Sequence, residues 1–158
     1  MTFSTFIPAF QLSLRAALAA GFATAIAQIL RLPFPLYAMI AAVIVTELQP
    51  SQTRKLGMQR LAGTLLGAMF GATLSPLLQN APWAIALSIM AAMLITHLLR
   101  LQYAAKMAGY VCAIVLLNHS DHPWSYALYR LIETALGIGV AVLVSYVPKL
   151  IPTDKPDR

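Results

Sequence analysis

The sequence predicts an all-α membrane protein: a bundle of six transmembrane helices arranged as a three-plus-three inverted repeat, with both termini cytoplasmic. Three observations lead there. The 158 residues are 59% hydrophobic and 10% charged, with mean hydropathy +0.75, against roughly 45–50% apolar and about 25% charged in a soluble domain. Apolar residues gather into runs near the span of about 20 that crosses a bilayer. The cations fall at alternate ends of those runs. This composition excludes a disordered tail, a disulfide scaffold, a secreted hydrolase and a soluble nucleic-acid binder. The single cysteine, Cys112, lies in an apolar run and reads as a buried spacer. The net charge of +6 points to topology and anionic lipid headgroups, with no nucleic acid among the expected partners.

The first ten residues lack the basic start of a cleavable leader, so the first helix, 12–30, is expected to stay as an anchor. Arg31, Pro33 and Pro35 stop it, because proline removes a donor and clashes with the preceding turn. A second helix covers 37–48, a basic polar link 51–59, and a third helix 60–78. After a short turn come a fourth helix at 83–99, a fifth at 103–117, a polar loop, and a sixth at 127–147. Residues 1–147 thus form the membrane domain, and 148–158 a polar cytoplasmic tail. Connections this short make sequential helices antiparallel neighbours. With the N-terminus inside, the inner cations are Arg15, Arg54, Lys55, Arg60, Arg100, Lys106, Lys149, Lys155 and Arg158, and the outer ones only Arg31 and Arg130. That asymmetry predicts a multi-pass protein of a bacterial-type inner (plasma) membrane. Trp83 and Trp124 fall at the two outer loops, where indoles sit among headgroups.

Residues 60–67 read RLAGTLLG and residues 130–137 read RLIETALG, sharing Arg, Leu, Thr, Leu and Gly at the same offsets. Each copy opens the third helix of its half, and a three-span half is inverted relative to its partner, as in many secondary transporters. Helices 2 and 5 are the shortest of their halves, with Tyr37 and Tyr103 near their starts; short segments at matching positions point to a binding site. Gly63, Gly67 and Gly71, at four-residue spacing, and Gly137 in the second copy give faces that let another backbone approach. Such a face serves either packing or the wall of a substrate path.

Arg60, Thr64, Gly67 and Gly71 share one helix face, and Arg130, Thr134, Gly137 and Ala141 repeat it. Charge inside a membrane is costly, so it pairs or faces an aqueous cavity. Glu133 stands one turn from Arg130 as an ion-pair partner, and Glu47 is within reach of Arg60 across the preceding loop. If Arg15, Arg60, Lys106 and Arg130 converge, they form a cationic funnel for a small organic anion. Singly, each also fits an orientation signal in contact with membrane lipid. His97 offers either a proton relay or a hydrogen bond within the bundle. The loop H-S-D-H at 119–122 supplies too few ligands for a metal, and no cofactor is expected. No P-loop, nucleotide fingerprint, H-E-x-x-H or G-x-S-x-G occurs, and five carboxylates give acid/base chemistry little material, so no enzyme is expected.

With the repeated R-L-x-x-T-x-L-G segments, Arg15 in the Ala-rich first helix, and a short second helix ending near Glu47, Pro50 and Ser51, the chain resembles the membrane domain of the FUSC superfamily over about 15–147. That group comprises fusaric acid resistance proteins and aromatic acid exporters, and is related to aluminium-activated malate transporters. The resemblance implies six membrane helices, efflux of aromatic carboxylates or conduction of organic anions, and a homodimer around a pore. It matches Arg60 and Arg130 to the motif arginines. Larger members carry a cytoplasmic domain as well, and the resemblance does not extend to one here, so regulation and energy coupling of that kind are not expected from these residues. The expected transport site holds Arg60 and Arg130, then Lys106 and Arg15, for the carboxylate, since arginine grips carboxylates bidentately. Tyr37, Tyr103 and Tyr110 would contact the ring. A passive organic-anion channel, and a non-transporting membrane subunit docking a larger partner through its glycine face, are the competing readings.

Overall fold

The computed structural model describes residues 3–77, 81–118 and 122–147, and no strand occurs among them. Six helices follow one another: α1 (Phe3–Ile29), α2 (Pro35–Val45), α3 (Pro50–Leu74), α4 (Pro82–Leu98), α5 (Gln102–Asn118) and α6 (Pro123–Ser145). Four of them, α2, α3, α4 and α6, open on proline. Its fixed φ suits a first turn, and its missing N–H would be unpaired there anyway. At their other ends α1 and α4 stop alike. Arg31 and Arg100 take positive φ of 51° and 60°, and Leu32 and Leu101 donate their N–H back to the Ala27 and Thr96 carbonyls. This left-handed cap satisfies carbonyls that the helix leaves open.

Two helices are longer than the apolar pattern suggests. α1 begins at Phe3 rather than 12, and α3 begins at Pro50, so residues 51–59 are helix and not a polar link. Hydropathy marks only the apolar part of a helix; the proline marks where its backbone begins. α2 ends earlier, at Val45. The tail from 148 onward and residues 119–121 of the H-S-D-H loop lie outside the described residues.

Phe6–Ile29 and Pro123–Ser145 are long and apolar enough to cross a membrane, and α2, α4 and α5 are shorter apolar helices. The packing reverses that of a soluble protein. Buried positions are mostly small, with Ala19, Ala23 and Ala27 of α1 against Ala38, Ala42 and Val45 of α2 and Val140 and Ala141 of α6. Large side chains such as Phe22, Leu65, Met69, Leu94, Leu128 and Leu143 lie on the outside. Small residues bring backbones together where the surroundings are as apolar as the core. Three buried hydroxyls follow the same logic: Thr46, Ser88 and Thr96 each donate to the carbonyl four residues back, at 2.7–2.8 Å.

Sequential helices are not uniformly neighbours. α1 packs on α2 and α4 on α5, but α3 packs chiefly on α5 and α6, and α6 on α2. One layer is therefore α1, α2 and α6, the other α4, α5 and α3, joined where α3 meets α6. Among the described residues, the set of packed helix pairs is unchanged when α1 is exchanged with α4, α2 with α5 and α3 with α6. The equivalence reaches single residues. A Cβ on Gly67 would run into the backbone of Ala108, and one on Gly137 into that of Ala38. Each of these pairs of equivalent positions, 67 and 137, 38 and 108, is separated by 70 residues along the chain.

Candidate functional site

The close approaches at Gly67 and Gly137 set where the rest of each motif goes. Two turns before each glycine on its helix stands an arginine, and both Arg60 and Arg130 are buried. The Arg130 guanidinium carbon lies 3.7 Å from the centroid of the Tyr37 ring. Arg60 donates through Nη1 to Sδ of Met107 at 3.8 Å. Positions 37 and 107 are again 70 apart, so each motif arginine leans on the equivalent residue of the other half's middle helix. The two cations feel one another electrostatically, and Tyr110 lies beside Arg60.

Around Arg130 the surroundings are aromatic. The Tyr37 and Tyr126 hydroxyls share a hydrogen bond of 2.6 Å, and Phe34 meets the Tyr126 ring edge-on with centroids 5.0 Å apart. Glu133, fully buried, accepts the Phe34 backbone N–H on Oε1 at 2.7 Å. It thus fastens the start of α2, and the expected ion pair does not form: Glu133 Oε2 and the Arg130 Nε and Nη1 stay without a hydrogen-bond partner, and Arg130 acts on it only as a nearby charge. Several buried polar atoms have no hydrogen-bond partner: Nε of Arg60, Nε and Nη1 of Arg130, and Oε2 of Glu133. A buried donor or acceptor left so costs about 1–3 kcal/mol, more when charged. Donors in this arrangement suit a carboxylate.

Arg60 also lines a cavity. A space of about 180 Å³ is bounded by Ile44, Val45, Leu56, Gln59, Arg60, Tyr103 and Met107. It shares Leu56, Gln59 and Tyr103 with an adjoining cavity of about 380 Å³ to which Glu47, Gln52 and Lys55 add polar groups. The pair matches the scale of small-molecule sites, roughly 300–1,000 Å³.

The structure brings together Arg60, Arg130, Tyr37 and Tyr110, with Tyr103 and Glu47 at the cavity, but forms no four-cation funnel. Arg15 is buried elsewhere, donating to the carbonyls of Leu48 and Val147 at 2.8 Å each, just past the ends of α2 and α6. It is a staple on helix ends, where cations are favoured. Lys106 points outward from α5 and lines none of these cavities. His97 is exposed, with Nδ1 2.9 Å from the Met93 carbonyl, the hydrogen bond within the bundle. Gly63, Gly67 and Gly71 face α5 and Gly137 faces α2, which makes them packing positions. Phe34, Gln59, Met107 and Tyr126 join the site without having been expected. Carrying the 70-residue offset of the repeat back from Arg60 and Arg130 to the middle helices would have found Met107 beside Tyr37. Among the described residues no three metal-ligating side chains gather.

The sequence that folds into this inside-out helical bundle matches the family model described as fusaric acid resistance protein-like over residues 22–144. The chain belongs to that family. It is also 28% identical over 142 residues to a UPF0421 protein of Halalkalibacterium halodurans, a match covering 88% of this chain and 40% of that relative. The chain thus spans less than half the length of the curated relative it matches. No solved structure matches. Family membership and the two long apolar helices together support a membrane location.

Proposed function

We propose that the protein is a membrane transporter that exports organic carboxylates, aromatic ones foremost, across a bacterial-type inner membrane. The observation that carries the reading is the pair of buried motif arginines with unpartnered N–H donors, one of them walling a cavity that also offers Gln59, Tyr103 and Met107. The guanidinium donors take the carboxylate, and the tyrosines and methionine take the ring. The family's description names fusaric acid, itself a pyridinecarboxylic acid, which fits a site of cations and aromatics.

In this reading all six helices cross the membrane, and the residue-level equivalence of the two halves is that of an inverted repeat, which lets one scaffold form two oppositely open states. The termini are cytoplasmic and two copies associate. Proton coupling would use the buried Glu133 carboxylate beside Arg130.

Flux of benzoate through proteoliposomes, under an imposed voltage and separately a pH gradient, tests the function beside Arg60→Gln. Coupled export predicts flux that requires the proton gradient and falls in the variant. Flux that follows voltage alone would mark a channel, and no flux in folded protein would favour a subunit that docks a partner.

A further inference from the structure

The two motif arginines occupy equivalent places, yet of the two it is Arg60 that lines a cavity among the described residues. Gln52, Lys55, Leu56, Gln59 and Tyr103 line the approach to Arg60. The positions 70 residues away, His122, Ser125, Tyr126, Tyr129 and Pro33, line with Phe34 a separate cavity of about 210 Å³ at the opposite end of the bundle's symmetry. Arg130 does not line that cavity.

What stands in between is aromatic. Phe34, Tyr37 and Tyr126 replace the Ala104, Met107 and Leu56 found at the equivalent points near Arg60. Phe34 meets Tyr126 edge-on, and Tyr37 also meets Tyr126 edge-on, with centroids 6.3 Å apart and the hydroxyls bonded. The Phe34 backbone is pinned by Glu133 from below. Among the described residues no such set of rings closes the Arg60 end.

We propose that Phe34, Tyr37 and Tyr126 form a gate between the 210 Å³ cavity and Arg130, and that this structure is the state open at the Arg60 end and shut at the Arg130 end. The transport cycle opens the gate from this state, so the inference rests on the transport reading for its purpose though not for its geometry. Arg130 links ligand to gate: it stacks on Tyr37 while Nε and Nη1 remain free to take a carboxylate. An anion drawn to those donors competes with the stacking that holds Tyr37 in place.

The test uses the full chain with Cys112→Ser and one new cysteine, modified by a membrane-impermeant cationic methanethiosulfonate in intact cells and in inverted vesicles. Gln59→Cys should react from one face only, and Thr134→Cys, one turn beyond Arg130, should be protected from the other. Adding Phe34→Ala and Tyr126→Ala should raise the Thr134→Cys rate from that other face by about tenfold, as expected when an edge-to-face aromatic contact is lost. The Gln59→Cys rate, which reports an intact fold, should stay unchanged. Where the double variant does not fold, Tyr126→Phe removes only the hydroxyl bond and should give about fivefold. Unchanged Thr134→Cys protection in variants with normal Gln59→Cys reactivity overturns the gate. Benzoate flux separates the two readings. Absent flux with the labelling pattern preserved overturns transport and leaves the gate, whereas flux that survives cross-linking of Phe34→Cys to Tyr126→Cys overturns the gate and leaves transport.

Discussion

The Arg130 guanidinium is stacked on the Tyr37 ring, 3.7 Å from its centre. A cation buried against an aromatic face contributes roughly 0.5–2 kcal/mol. Tyr37→Phe keeps the face and loses only the hydroxyl bond to Tyr126; Tyr37→Leu loses both. Thermal unfolding in detergent should therefore rank the variants wild type, Tyr37→Phe, Tyr37→Leu, with the second step about 1 kcal/mol. Equal melting of the two variants would show that the ring contributes nothing to Arg130.

Glycine substitutions should divide sharply. A methyl on Gly67 or Gly137 meets backbone that cannot move aside, whereas Gly21 and Gly139 have nothing within 4 Å. Gly137→Ala and Gly67→Ala should cost about 1–3 kcal/mol or more and lower the yield of monodisperse protein. Gly21→Ala and Gly139→Ala should stabilise by roughly 0.5–1 kcal/mol through helix propensity. Size-exclusion profiles after a heat ramp distinguish the two groups.

Arg15 and Arg60 should fail differently. Arg15→Gln breaks two charge-assisted bonds that hold the chain beyond α2 and α6, each worth about 1.5–3 kcal/mol, so it should lower stability. Arg60→Gln removes donors facing a cavity and should weaken benzoate binding about tenfold or more with little change in melting. Calorimetric titration of both variants checks the contrast.

Arg31 and Arg100 hold the left-handed conformation that glycine adopts without penalty. Replacing either by glycine should raise stability by about 1 kcal/mol, because the cost of a Cβ at positive φ disappears. A lower melting temperature in both would mean that their side chains matter more than their backbone.

Much of this architecture could be read from the residues because long apolar helices carry their own signal. The existence and order of the six helices followed from apolar runs broken by proline and polar clusters. The start of α3 did not, since Ser51 to Gln59 is polar; Pro50 was the overlooked mark. The repeated motif led to Arg60 and Arg130, which the fold does bring near each other. Lys106 could not be separated from Met107 and Tyr110 by pattern alone. α5 is apolar on nearly every face, so hydropathy does not say which face meets α3. Phe34 and Tyr126 escaped because their role depends on α2 and α6 meeting across nearly a hundred residues of chain.

The exchange of third helices has a consequence for how the molecule is made. α3 leaves the ribosome before α5, the helix that its three glycines face, has been synthesised, and Arg60 must wait for Met107 before it is covered. The first three helices alone therefore leave a glycine-lined flank and a cation uncovered, and the packing is completed only when α5 fills that flank and α6 closes over α2. Within this six-helix unit the two halves are thus finished together, each by a helix of the second half.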